Sequence, residues 1–294
     1  MLELRGVTVR YGRTLAVDNC SLRVGGGEAV ALLGANGAGK TSILRAVSRL
    51  VPVTGGSLTI DGIDLTSRRA HEVLATGLVH VPEGRGLFPD MTVLENLRMG
   101  AFGRPKSEAQ EGVDFACDVF PRLRERLGQK SWSLSGGEQQ MLAVGRALVA
   151  RPRLLLLDEI SLGLSPRATA ELYGALATIR TGSGISMLIV EQQARLALAN
   201  TDRVYVLRQG TVVLEGASAD FSSDPARIWQ AYVGGDERSN NGNGYSPGST
   251  TITRLRPGRA RSGRNGRTGS GHPGRRIVIK RPVGRTDQSQ ARNP

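Results

Sequence analysis

Glycines, a lysine and a threonine occur at the spacing of a phosphate-binding loop. The segment 34–41 reads GANGAGKT and matches the pattern G-x-x-x-x-G-K-[ST]. Glycines let successive backbone N–H groups approach phosphate oxygens, because no Cβ stands in the way. In such a loop Lys40 is expected to reach the β- and γ-phosphates, and the Thr41 hydroxyl to hold Mg²⁺. The residues predicted to contact the nucleotide here are Gly34, Ala35, Asn36, Gly37, Ala38, Gly39, Lys40, Thr41 and Ser42.

The elements on either side of this segment are those that a phosphate-binding loop requires. The apolar run 29–33 precedes it and predicts a strand, and the amphipathic segment 42–50 follows it and predicts a helix. The helix start would add its positive dipole end to the loop. A tight turn between a strand and a helix is the alternative, but a bare turn does not call for a lysine followed by a hydroxyl residue. The sequence therefore predicts a nucleoside triphosphate site.

Two acidic residues follow a strand that is predicted to be buried on both faces. The run Leu154–Leu157 is apolar at every position and leads directly into Asp158 and Glu159. Because a parallel sheet presents its ligands at the carboxyl ends of its strands, both carboxylates are expected near the phosphates. Asp158 is the predicted second anchor of Mg²⁺, and Glu159 is the candidate to polarise an attacking water.

The rest of the chain alternates between strand and helix patterns, which predicts an α/β fold with a mainly parallel sheet. The region 92–150 is predicted to hold several helices between two strands, and so to form an inserted helical subdomain of about 85–150. Other predicted strands are 2–10, 16–24, 57–60, 78–81, 187–190, 204–207 and 211–214, and other predicted helices are 67–75, 135–151, 165–182 and 194–200.

Two further groups of residues fit nucleotide contacts but also allow ordinary structural roles. Ser135, Gly136 and Gly137 open a predicted helix, where Ser135 fits an N-cap and the glycines leave room for an anion. A simple capped helix would start in the same way. Tyr11 follows a predicted strand, where it could stack on a purine or pack at the strand end.

Composition separates a folded part from a basic tail. Of the net charge of +13, residues 235–294 contribute +10, from thirteen Lys or Arg and three Asp or Glu. This tail is poor in apolar residues and is expected to be disordered. RNA or anionic lipid could bind it, but Tyr245 is its only aromatic residue, which argues against nucleic acid as a partner. No apolar run is long enough to cross a membrane and no secretory signal is evident, so a cytoplasmic protein with reduced Cys20 and Cys117 is expected.

The three segments GANGAGKT, LSGGEQQ and LLLLDE, in this order, resemble those of ATP-binding subunits of ABC transporters. The resemblance covers residues 1 to about 234. It implies the P-loop NTPase fold of ABC ATPases, with an N-terminal antiparallel β subdomain, and ATP and Mg²⁺ as cofactors. It also implies that Tyr11 stacks on adenine, that Ser135, Gly136 and Gly137 cover the γ-phosphate held by a partner subunit, and that residues 164–166 cross the interface between the two.

Two positions depart from the commonest pattern of that family. Glu83 stands where a glutamine usually senses Mg²⁺ and the membrane partner, and Gln192 stands where a histidine usually contacts the γ-phosphate. A glutamine amide can still donate one hydrogen bond to a phosphate oxygen, but it cannot carry a positive charge. The segments 81–97 and 188–207 resemble those of branched-chain amino acid importers, in which both replacements are usual. The predicted catalytic residues are therefore Lys40, Glu159 and Gln192, with Glu83 beside the metal.

The resemblance implies a cassette on the cytoplasmic face of the membrane that pairs with a second cassette and with transmembrane permease subunits. An extracytoplasmic solute-binding protein would act with them indirectly. Uptake of branched-chain amino acids driven by ATP hydrolysis is the favoured function. An importer of urea or short amides, a cassette ATPase acting on nucleic acid or ribosomes, and a regulatory cassette that binds ATP without cleaving it are the alternatives.

Overall fold

In the computed structural model, two β-sheets organise the chain. The structure describes residues 1–102, 104–222 and 226–233, apart from the side chains of Ala226, Trp229 and Val233, so the predicted disordered tail 235–294 lies outside it. The strands are β1 Leu2–Tyr11, β2 Thr14–Val24, β3 Ala29–Leu33, β4 Gly55–Ile60, β5 Ile63–Asp64, β6 Leu78–Val81, β7 Leu154–Asp158, β8 Ser186–Val190, β9 Arg203–Arg208 and β10 Thr211–Ala217.

The larger sheet is mainly parallel, as the sequence predicts. Its order is β10-β9-β3-β8-β7-β6; β9, β3, β8, β7 and β6 run parallel, and β10 pairs antiparallel with β9. Every residue of β3, β7 and β8 is buried, because helices or the second sheet cover both faces. The carboxyl ends of these three strands therefore bring residues 34, 158–159 and 191–192 to one edge.

The smaller sheet is antiparallel and has the order β2-β1-β4-β5. In β1 the side chains of Leu2, Leu4, Val7 and Val9 are buried. They share a core with Leu32 of β3 and with Ile43, which follows the phosphate-binding loop. The small sheet therefore packs through apolar contacts against the strand and the helix that flank the loop.

The helices between β6 and β7 confirm the prediction of several helices in this region. Here α3, α4, α5 and α6 pack on one another, and their core is continuous with β7 and β8. No helix in the described part of the chain is both long and apolar enough to span a membrane. The helices are α1 Lys40–Val47, α2 Ala70–Ala75, α3 Val93–Met99, α4 Lys106–Val119, α5 Pro121–Arg124, α6 Gly136–Val149, α7 Pro166–Ser183, α8 Ala194–Asn200, α9 Ser218–Ser222 and α10 Ala226–Val233.

Several helix ends differ from the sequence predictions for local reasons. Helix α1 ends at Val47 rather than at residue 50, because the chain turns left-handed at Arg49, with φ of 57°. Helix α7 passes through Gly182 and ends at Ser183, because Gly184 follows as its C-cap with φ of 68°, the left-handed value that terminates helices. Helices α2 and α6 are also shorter than predicted, at 70–75 and 136–149.

The two cysteines are buried free thiols, as predicted. Burial raises the pKa of Cys20 to about 12. It also raises the pKa of Cys117. Both side chains therefore act as small apolar groups of the core rather than as reactive thiolates.

Candidate functional site

The segment 34–41 forms a tight loop between β3 and α1, and its glycines are required sterically. Gly39 is the N-cap of α1 with φ of 103°, and a Cβ there would lie 2.4 Å from the Ala16 carbonyl oxygen. A Cβ on Gly34 would lie 2.5 Å from the Leu207 carbonyl oxygen. No side chain caps the start of α1, so its first N–H groups are available to an anion.

Lys40 is folded back over the loop that precedes it. Its side chain is 4% exposed, and Nζ donates to the carbonyl oxygens of Gly34 at 2.9 Å and Ala35 at 3.2 Å. The same nitrogen lies 3.6 Å from Oε1 of Glu159. The ammonium group is thus held at the centre of the loop, where it can exchange these oxygens for those of a phosphate.

Asp158 and Thr41 form the part of the site that suits a divalent cation. The Thr41 hydroxyl donates to Oδ1 of Asp158 at 3.4 Å. Oδ2 of Asp158 is buried and meets no hydrogen-bond partner among the described residues. Burial raises the pKa of Asp158 to about 6, and Glu159 and Glu83 add repulsion. A bound cation would coordinate the unpaired oxygen and reduce the repulsion between the carboxylates, so these residues fit a metal.

The oxygen ligands at this site suit Mg²⁺ better than a metal whose ligands must all come from the protein. Within the described ranges, no three His, Cys, Asp or Glu side chains group closely enough to hold a metal ion. Mg²⁺ commonly takes one or two carboxylates and fills its remaining positions with waters and substrate phosphates. The Thr41 hydroxyl and the Asp158 carboxylate, next to a phosphate-binding loop, match this coordination of Mg²⁺.

Glu159 and Gln192 meet although they are 33 residues apart in the sequence. Nε2 of Gln192 donates to Oε2 of Glu159 at 2.6 Å, from the end of β8 to the end of β7. Glu159 has φ of 48°, a left-handed value that is unfavourable for a residue with a side chain. The carboxylate is therefore oriented by an amide on one side and by Lys40 on the other.

A cavity of about 340 Å³ unites most of the predicted site residues. Glu83 also lines the cavity, although it is far from the other lining residues in sequence. Tyr11 does not line it, and its side chain is exposed at the end of β1. Ser135, Gly136 and Gly137 do not line it either. The cavity is lined by Ala16, Asn36, Gly37, Gly39, Lys40, Thr41, Ser42, Glu83, Glu159 and Gln192.

Ser135 begins α6 as the predicted N-cap. Its hydroxyl accepts from the N–H of Glu138, whose side chain accepts in return from the N–H of Ser135. A Cβ on Gly137 would lie 2.9 Å from Cβ of Ala168, so α7 packs closely against this turn. The start of α6 borders a second cavity of about 430 Å³ rather than the one that Lys40 lines.

Glu191, directly after β8, is a buried charge that is not among the site residues predicted from the sequence. It is 2% exposed and accepts from the hydroxyls of Ser161 at 2.8 Å and Tyr173 at 2.7 Å. Burial, together with this carboxylate, raises the pKa of Tyr173. The contact ties β8 to the segment after β7 and to α7. A glutamate directly after an all-apolar buried strand was the signal available in the sequence.

The chain is similar in sequence to known ATP-binding proteins of transporters. A family model described as ABC transporter matches residues 17–161. The high-affinity branched-chain amino acid transport ATP-binding protein BraG of Pseudomonas aeruginosa is 40% identical over 235 residues, which cover 80% of this chain and 100% of that protein. LivG of Salmonella typhimurium, also described as a high-affinity branched-chain amino acid transport ATP-binding protein, is 32% identical over 253 residues, which cover 80% of this chain and 98% of that protein.

Solved structures show the same fold. A nucleotide-free ATP-binding cassette from an ABC transporter superposes with a TM-score of 0.69 at 23% identity, over 78% of this chain and 98% of that chain. The phosphate-binding loop, the acids at the end of β7 and the capped start of α6 all lie within residues 17–161, which the family model matches. The chain belongs to the ATP-binding proteins of the ABC transporter family.

Proposed function

We propose that this protein is the ATP-hydrolysing subunit of an importer of branched-chain amino acids. The observation that carries the proposal is the convergence of Lys40, Thr41, Glu159 and Gln192 on one cavity, with Asp158 bound to the Thr41 hydroxyl beside it. The names of BraG and LivG supply the solute class, because both are branched-chain amino acid transport proteins.

Each group in the cavity has a role that follows from its chemistry. The loop 34–42 binds the phosphates through its N–H groups, and Lys40 neutralises charge on the β- and γ-phosphates. Thr41 and Asp158 would hold Mg²⁺, with Glu83 at the rim. Bound magnesium supplies charge neutralisation on the phosphates. Glu159 accepts a proton from the attacking water, while Gln192 holds that carboxylate in place and donates towards the γ-phosphate.

Other predicted contacts require a second cassette. Ser135, Gly136 and Gly137 do not line the cavity of Lys40, which agrees with a role towards a nucleotide held by the partner cassette. Two cassettes closing head to tail would place each ATP between the loop of one and the start of α6 of the other. Tyr11 is 41% exposed, so its ring is free to stack on the adenine. Hydrolysis then removes the γ-phosphate that links the pair, and the pair opens.

An apolar groove beside the helices α3 and α6 fits a membrane partner. It has a volume of about 330 Å³ and is lined in part by Leu74, Phe88, Met99 and Phe102. Phe102 is 82% exposed and Leu74 is 47% exposed, an unfavourable exposure for a monomer in water. We assign this groove to a cytoplasmic segment of the permease subunits, and on that basis we propose that the protein works at the cytoplasmic face of the membrane. A solute-binding protein on the other side would deliver the amino acid.

The test is uptake of labelled leucine by cells that lack this gene. Deletion should abolish the high-affinity component, the wild-type gene should restore it, and Glu159→Gln should not. The purified Glu159→Gln protein should still bind ATP, with turnover lowered by on the order of 10² to 10⁴, because it keeps the shape of the site without the base. Leucine uptake that is unchanged by the deletion would refute the assigned solute, and normal turnover in Glu159→Gln would refute the role of Glu159.

A further inference from the structure

The loop that follows β6 has an unusual backbone. Gly84, Arg85 and Gly86 have φ angles of 77°, 69° and 55°, three left-handed values in succession. Glycine adopts such angles readily, but an arginine does so only where its surroundings hold it. The loop begins at Glu83, which lines the cavity of Lys40. The strained residue is therefore two positions from the nucleotide site.

Helix α6 holds the backbone of this loop. Nη1 of Arg146 donates to the carbonyl oxygen of Gly86 at 2.8 Å, and Nη2 donates to that of Arg85 at 3.2 Å. The same guanidinium lies over the ring of Phe88, 5.7 Å from its centroid. The loop is thus fixed to the second half of α6.

The side chain of Arg85 reaches the first turn of the same helix. Its Nη1 donates to Oε1 of Gln139, and a Cβ built on Gly136 would lie 3.2 Å from its Nη2. Nε2 of Gln139 donates in turn to the carbonyl oxygens of Ser131 and Leu134, each at 3.2 Å. Arg85 is therefore linked through Gln139 to the backbone that leads into the N-cap of α6.

We propose that Arg85 is a positioning residue that makes the loop 83–88 and the first turn of α6 move as one body. A displacement of Glu83 at the rim of one nucleotide site would then displace Ser135, which faces the nucleotide of the partner cassette. The inference rests on the proposed function, since it assumes a pair of cassettes closed by ATP. A planar guanidinium can donate to Gln139 through one nitrogen while its other terminal nitrogen lies beside Gly136, whereas a lysine ammonium has only one nitrogen.

The experiment uses the Glu159→Gln protein, in which ATP-dependent pairing is not reversed by hydrolysis. Pairing is followed by light scattering after size exclusion at increasing ATP, and monomer affinity is followed with a fluorescent ATP analogue at low protein concentration. Arg85→Met should leave the affinity of the monomer for the ATP analogue within about twofold of the parent value. It should raise the ATP concentration needed for pairing by about tenfold, which is the size of effect expected from the loss of one charge-assisted hydrogen bond. Arg85→Lys should behave in the same way. Arg98→Met, at an exposed arginine of α3, is the matched control and should change neither quantity.

The partner of the contact gives a second route. Gln139→Met should impair pairing, and the double variant with Arg85→Met should be no worse than the more impaired single variant. Should Arg85→Met fail to fold, Gln139→Met with Arg85→Lys tests the same contact. Additive effects, full pairing in Arg85→Met, or full rescue by Arg85→Lys would overturn the inference. Failure of the parent Glu159→Gln protein to pair with ATP would contradict the proposed function and the inference with it.

Discussion

Replacing Asp158 by Asn should stabilise the protein in the absence of nucleotide and metal. The carboxylate is 1% exposed, and one of its oxygens has no hydrogen-bond partner in the described structure. Burial raises its pKa from 3.8 to about 6, because the ionised form loses its solvation; the Thr41 hydroxyl only partly opposes this. Asn has the same shape and can still accept from Thr41, but it carries no charge.

The size and the pH range of the effect follow from that shift in pKa. A rise from 3.8 to about 6 is about 2.2 units, and at 1.36 kcal/mol per unit the ionised carboxylate costs the folded state about 3 kcal/mol. Below pH about 4 both folded and unfolded chains hold the proton, so the cost is absent. As the pH rises from about 4 to about 6 the unfolded chain ionises first, and the stability of the wild type falls relative to Asp158→Asn. Above pH about 6.5 the difference should be constant.

Urea unfolding from pH 4.5 to 8, with chelator and without nucleotide, measures this difference. Asp158→Asn should gain up to about 3 kcal/mol at pH 7.5 and progressively less towards pH 4.5. Glu111→Gln is a suitable control, because it removes an exposed carboxylate that pairs with Arg151 at the surface. ATP with Mg²⁺ should stabilise the wild type but hardly Asp158→Asn. A variant less stable than wild type at pH 7.5, or a gain that does not depend on pH, would refute the role assigned to this carboxylate.

The other substitutions concern the neighbouring strand end. Gln192→His should retain or raise phosphate release, because an imidazole can also donate to Glu159; complete loss of turnover would show that the amide itself is required. Glu191→Ala should lower the free energy of unfolding by about 3 kcal/mol, since it leaves buried hydroxyls of Ser161 and Tyr173 without their acceptor, whereas Tyr173→Phe should cost only about 1 kcal/mol. Urea unfolding measures the loss of unfolding free energy in each variant. Equal losses would contradict the role of the Glu191 carboxylate as the shared acceptor of both hydroxyls.

Patterns of burial explain why most of the fold could be predicted from the sequence. The runs 29–33, 154–157 and 187–190, in β3, β7 and β8, are apolar at every position, which is the pattern of strands covered on both faces. The first is followed by the glycine-rich loop and the other two by acidic residues. Because parallel strands end at one edge, the meeting of the phosphate loop with Asp158 could be foreseen. The ends of α1 and α7 could not be predicted, because they depend on left-handed φ angles at Arg49 and Gly184. Helix propensity alone does not assign such angles.

Contacts between distant residues set the limit of sequence reasoning at the site. Nothing in the spacing shows that Gln192 binds Glu159, because the register of β7 against β8 decides it. The burial of Glu191 depends likewise on the hydroxyls that α7 and the segment after β7 bring to it. The bridge from Arg85 to Gln139 spans 54 residues and depends on how the loop after β6 lies against α6. In each case tertiary packing, rather than local pattern, sets the partner.

A calorimetric titration with ATP and Mg²⁺ would measure nucleotide binding at the loop 34–41. We expect saturable binding to one site per chain, with heat that is lost in Lys40→Ala, because Lys40 exchanges the carbonyl oxygens of Gly34 and Ala35 for those of the phosphates. Circular dichroism would show that both proteins are folded. Folded wild-type protein that gives no heat, or Lys40→Ala that binds with unchanged affinity, would contradict this expectation.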